Sequence, residues 1–156
     1  MSVPIPLDDP AATLWNRCLP ADLAIFGDLL NTPPIPAGRI AAELGIRVVS
    51  KTLDSEISGL IRQENNRYVI EVNNTDAGVR QRFTVCHEIA HYLLHRQFID
   101  SSGITDTILY RSKLSNRQEA EANKLAAAIL LPWKLVNEWH QHTFGCSPIA
   151  DNIDSI

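Results

Sequence analysis

The chain has 156 residues, 45% of them hydrophobic and 21% charged, which suits one domain with its own core and leaves two full domains cramped. Its formal charge of −4 supplies no global attraction to nucleic acid or an anionic membrane, so neither is expected as a direct partner. No basic region followed by an apolar run marks a leader, and no apolar stretch reaches membrane-spanning length.

In chain order, Pro4, Pro6, Pro10 and Pro20 make residues 1–20 an N-terminal arm, irregular but for a helical turn near 11–17, with Trp15 tacking it to the body. A single domain is expected over 21–142 and a loose polar tail over 143–156. Leu23, Ile25, Phe26, Leu29 and Leu30 predict a helix that Pro33, Pro34 and Pro36 break. A short helix over 37–44 follows, with Gly45 as its stop. The stretch 40–46 resembles the second helix and turn of a helix-turn-helix, but a basic recognition helix should come next. Arg47-Val48-Val49-Ser50 predicts a strand instead. Three strands are expected at 46–50, 56–63 and 67–73, the last two joined by Asn65-Asn66, since asparagine tolerates positive φ. Alternation in the third puts Tyr68, Ile70 and Val72 on one face, Val69 and Glu71 on the other.

Thr75 or Asp76 can cap the next helix, expected over about 77–97. Val79, Phe83, Cys86, Ala90 and Leu93 form its apolar stripe. On the flank of that stripe lies His87-Glu88-x-x-His91, a recurrent zinc-protease signature. One helical turn separates the two imidazoles, so they can share one metal ion. Glu88 leaves the helix about 100° from His87, where its carboxylate can take a proton from a bound water. Cys86 precedes His87, but its place in the stripe predicts a small buried residue rather than a ligand. Cys18, Cys86 and Cys146 are odd in number and far apart, with no Cys-x-x-Cys, which points to a reducing, cytoplasmic setting.

Residues 98–114 read as an exposed excursion in which 107–110 forms a short strand or lines a cleft. Ser115-x-x-Gln118 predicts a capping box opening a helix over 116–131. Pro132 ends it and starts another helix, with Leu135, Val136 and Trp139 turned inward. A catalytic zinc usually has three protein ligands and an open position. Glu119 shares a helical face with Ala122, Asn123, Ala126 and Leu130, and the alanines make that face slim enough for close helix packing. Glu121 points about 160° away with Lys124 and Leu125, so Glu119 is the preferred third ligand. Asn123, one turn on, could accept the second ring N–H of a zinc-bound histidine.

Arg80-Gln81-Arg82-Phe83-Thr84 leading into His87-Glu88-Ile89-Ala90-His91-Tyr92-Leu93-Leu94-His95 resembles the zinc helix of the ImmA/IrrE family of metallopeptidase-like proteins. Glu119-x-x-Ala122-Asn123-x-Leu125-Ala126-Ala127-x-x-Leu130-Leu131-Pro132 resembles that family's second signature, and Ile57-Ser58-Gly59 with its hairpin fits the region upstream. Leu125 stands where the family often has Phe. The resemblance covers about residues 21–140. It implies an α+β fold, with helices packed on a small three-stranded antiparallel sheet in a minimal gluzincin-like arrangement. It implies one zinc ion held by His87, His91 and Glu119, with Glu88 catalytic. It also implies a protein partner: a helix-turn-helix repressor that is cleaved or inactivated. The chain has no room for such a domain of its own, so the partner is expected to be a separate polypeptide.

An endopeptidase of this kind also needs a donor for the developing oxyanion. Tyr110, Tyr92, Arg82 and His95 are the candidates, and spacing does not rank them. His95 is not a metzincin ligand, because that class places its third histidine farther on, after a glycine. The alternative reading is a non-catalytic anti-repressor or toxin–antitoxin-type binding module with a structural or vestigial zinc site. Such a site has no use for Glu88.

Overall fold

Proline and glycine set the joints of the N-terminal half. The structure, a computed structural model, describes residues 5–6, 8–102 and 114–145. A single turn of helix, α1 (Ala12–Trp15), leads to α2 (Pro20–Phe26), where Pro20 sits in the first turn and its missing N–H has no bond to lose. The chain tightens into a 3₁₀ turn, Gly27–Leu30, and then begins α3 (Ala37–Glu43). Gly45, at φ 76°, closes α3: its N–H donates to Ala42 O at 3.0 Å and that of Ile46 to Ala41 O at 2.9 Å. Ala11, Leu14, Trp15 and Cys18, from the arm expected over 1–20, are buried in the main core.

The strands are β1 (Arg47–Lys51), β2 (Gly59–Glu64) and β3 (Arg67–Asn73), in the order β1-β3-β2. Residues 47–51 are thus strand, not a recognition helix. β2 and β3 form the expected hairpin, with Asn65 and Asn66 both at positive φ. The sheet is nevertheless mixed rather than antiparallel, because β1 runs parallel to β3, from Arg47 beside Val69 to Lys51 beside Asn73. The reason lies in residues 52–58, which cross the end of β3 instead of turning back as a hairpin. The fully buried Asn73 side chain fastens this crossover. Its Nδ2 donates to Leu53 O, Asp54 O and Ile57 O at 3.2, 3.2 and 2.9 Å, while Oδ1 accepts from Leu53 N at 3.3 Å. The Thr75 hydroxyl also donates to Asn73 Oδ1, at 2.8 Å.

On the sheet, the buried Glu71 accepts from Lys51 Nζ at 2.6 Å and Arg62 Nε at 3.2 Å. These two cations hold its carboxyl below the usual range against the opposing pull of burial, which is the largest influence on it. Arg47 pairs with Glu64 at 3.1 Å.

Two helices carry the rest of the core. The first, α4 (Gly78–Ser102), runs past the predicted end and takes in part of the supposed excursion, including the buried Ile99. It kinks at His95 (φ −127°, ψ 25°). Its buried stripe begins later than expected: Cys86, Ala90 and Leu93 are buried and Phe83 partly so, but Val79 is 81% exposed. The second, α5 (Asn116–Leu130), opens with the predicted capping box: Gln118 N donates to Ser115 Oγ at 3.2 Å and Ser115 N to Gln118 Oε1 at 2.8 Å. Pro132 precedes α6 (Trp133–Phe144), in which Trp133 is the buried anchor. Trp139, expected to face inward, is 62% exposed. No helix among the described residues is long and apolar enough to cross a membrane.

Burial pushes the Cys18 and Cys86 thiols up to about 12, so neither is a thiolate near neutrality. At pH 8 both should therefore resist iodoacetamide in the native chain and react once urea unfolds it, as peptide mass mapping will read. Replacing Asn73 with alanine strands several buried backbone groups and should cost roughly 2–4 kcal/mol in urea denaturation, at about 1–3 kcal/mol per unsatisfied group.

Candidate metal centre

α5 approaches α4 through Ala122 and Ala126, both fully buried, so the two backbones come close. The approach carries Glu119, in the first turn of α5, up to the paired histidines of α4. His87 Nε2 and His91 Nε2 lie 3.0 Å apart. Glu119 Oε2 is 3.3 Å from the first and Oε1 3.4 Å from the second. One ligand atom from each of the three residues falls within a span of 4.8 Å. The two imidazoles facing Glu119 hold its carboxyl well below the usual carboxylate range, against the opposing effect of burial. It is an anion at any physiological pH.

This donor set suits a divalent zinc ion. Zinc bonds of about 2.0–2.1 Å in a tetrahedron put ligand atoms about 3.3–3.4 Å apart, close to the separations here. Two imidazole nitrogens and a carboxylate oxygen are also the ligand types of catalytic zinc sites. Among the described residues, Glu119 Oε1 is buried and makes no well-formed hydrogen bond, its near neighbour being His91 Nε2 at 3.4 Å, as expected of an oxygen that shares a cation with that nitrogen. His87 and Glu119 open onto a cleft of about 440 Å³, whose other walls are Ser58, Arg80, Phe83, Thr84 and Asn123. Glu88, next to His87 in the chain, is buried.

The remaining sequence candidates separate. Asn123 lines the cleft but is not the partner of His91's other nitrogen. That position belongs to His95, whose Nδ1 is 3.0 Å from His91 Nδ1. His95 is 2% exposed, and burial pushes its pKa down to about 4. Tyr92 lies outside the cleft. Its ring meets Tyr68 edge-on at 5.0 Å and carries the Arg96 guanidinium at 3.8 Å, while Arg96 also pairs with Asp22 at 2.5 Å. Arg82 points to a different groove and donates to Ile35 O at 2.6 Å. Tyr110 lies outside the described residues.

Sequence reasoning passed over two features. Arg80, not Arg82, reaches the cleft, where its Nε and Nη2 donate to Ser58 Oγ at 3.0 and 2.8 Å. Glu121 also turns toward α4 and stands 3.6 Å from His95 Nε2. The buried arc of α5 is centred on Ala122, Leu125, Ala126 and Ile129, so the two glutamates flank it on opposite sides. The sequence pattern Ala122-x-x-Leu125-Ala126-x-x-Ile129 carried that signal.

The model of the IrrE N-terminal-like domain, Peptidase_M78, matches residues 41–143, more than half of the chain. The chain belongs to this family. The matched region runs from within α3 through the sheet and both helices that carry the His87, His91 and Glu119 cluster. A protein described as uncharacterized immunity region protein 2, from Bacillus phage phi105, is 27% identical over 112 residues, covering 71% of this chain and 68% of that protein.

One glycine of this IrrE N-terminal-like domain shapes the cleft wall. A Cβ on Gly59 would collide with Thr84 Cγ2 and come within 2.7 Å of Glu71 O, so only glycine lets β2 lie this close to α4. Gly59→Ala should lower stability by about 1–3 kcal/mol in urea denaturation, the usual range for overpacking.

Proposed function

We propose that this chain is a zinc-dependent endopeptidase that cuts a separately encoded helix-turn-helix repressor, with Glu88 as general base. The observation that carries this reading is the meeting of His87, His91 and Glu119 at the edge of an open cleft. Membership of a peptidase family supports the chemistry. The phage relative is named for an immunity region, and the repressor as target is inferred from the resemblance of the two signature motifs.

A zinc ion bound by His87 Nε2, His91 Nε2 and Glu119 would polarise the scissile carbonyl and acidify a water. Glu88 accepts one proton from that water as its oxygen bonds to the carbonyl carbon. Glu88 then gives that proton to the departing amide nitrogen and the C–N bond breaks; the water's second proton passes to the freed amine, so a carboxylate and an ammonium group are released. Glu119 stays anionic throughout. Arg80 and Asn123 line the cleft where a substrate backbone would pass, and Arg80 has N–H groups to offer its carbonyls.

The test pairs zinc titration with cleavage of a helix-turn-helix repressor, sought first in the reading frame beside this gene. One zinc per chain is expected, lost in His87→Ala and kept in Glu88→Gln. Cleavage by Glu88→Gln should fall by at least about 100-fold, the lower range for general-base removal. Repressor inactivation undiminished in Glu88→Gln would instead assign the chain to the binding modules, and a wild-type chain that takes up no zinc would overturn the metal reading.

A further inference from the structure

The geometry points to a positioning role for His95, Glu121 and Arg17, which together fix the ring and tautomer of His91. The inference rests on the metal reading above and extends it to residues outside the ligand set. His91 has its Nε2 in the ligand cluster and its Nδ1 3.0 Å from His95 Nδ1, both rings being buried. Two ring nitrogens at that distance share one proton. When His91 Nε2 presents its lone pair to a cation, its Nδ1 must carry that proton and donate it. His95 Nδ1 then accepts, which leaves the His95 proton on Nε2, where the Glu121 carboxylate, 3.6 Å away and beyond hydrogen-bond length, favours it by charge. Glu121 is in turn held by Arg17, whose Nη1 pairs with Glu121 Oε2.

The polarity of this chain runs one way. Arg17 fixes an anion, the anion favours the Nε2–H form of His95, and that form leaves Nδ1 free to accept from His91. Each link comes from a different piece of the fold: the stretch after α1, the first half of α5, and the kink of α4. Arg17 lies before the matched region 41–143, so a segment outside the family domain completes the support of one of its ligands.

The test measures zinc affinity by competition with a chromogenic chelator, with circular dichroism reporting folding. His95→Leu, which removes the acceptor, should weaken zinc about 10–100-fold, the usual consequence of losing a ligand's outer hydrogen bond. His95→Asn, which keeps an acceptor near the Nδ1 position, should restore most of that affinity, and Glu121→Gln should fall between the two. In zinc-loaded wild type, nitrogen-15 ring shifts should report protons on His91 Nδ1 and His95 Nε2, a readout independent of whether any variant folds. A proton on His95 Nδ1 overturns the inference, as does wild-type zinc affinity in folded His95→Leu or a His95→Asn chain as weak as His95→Leu. These results leave the metal reading standing; failure of the wild type to bind zinc removes both.

Discussion

The candidate centre depends on how near α5 comes to α4. Ala122 and Ala126 let the helices touch, and that contact sets the Glu119 carboxylate against the two imidazoles of His87 and His91. A larger residue at either alanine would move Glu119 outward by more than the few tenths of an ångström that a ligand shell tolerates. The capping box formed by Ser115 and Gln118 acts on the same distance from the other side. It fixes where α5 begins, and Glu119 is the residue that follows Gln118.

The sheet serves this arrangement as a platform. α4 packs on β2 and β3, and Gly59 allows β2 to approach closely enough for Ser58 and Thr84 to share one cleft wall. Ser58 lies at the far end of the crossover that Asn73 fastens, and its carbonyl accepts from Asn73 N at 2.8 Å. One buried asparagine, through its side chain and its backbone N–H, thus holds both the crossover and a cleft residue. Arg80, anchored to Ser58 Oγ, links that corner to the first turns of α4.

Much of this was legible in the sequence because it rests on local periodicity. The His87–His91 pair, the hairpin at Asn65-Asn66, the stop at Gly45 and the capping box each follow from spacing or from one residue's backbone preference. The parallel pairing of β1 was not, because it depends on a side chain, Asn73, that bonds across the segment 52–58. The face read from Glu119, Ala122, Asn123, Ala126 and Leu130 lies about 65° round the helix from α5's buried arc, at about 100° per residue. That offset leaves Glu119 on one flank of the arc and Glu121 on the other. The burial of His95 was not legible, because nothing local marks a kink that continues into buried helix. Trp139 and Val79 show the opposite failure: apolar type at the right phase, with no element among the described residues to cover it.

The mixed order β1-β3-β2 leaves the outer sides of β1 and β2 without a strand partner among the described residues. Such borders can template pairing between molecules, and proteins commonly blunt them with charge. Here Arg47 and Lys51 stand at the two ends of β1, and Arg62 and Glu64 stand on β2. The same side chains that hold Glu71 and Glu64 in place on the sheet therefore also guard its rims against aggregation, so neutralising them would trade a small loss of stability for a larger loss of solubility.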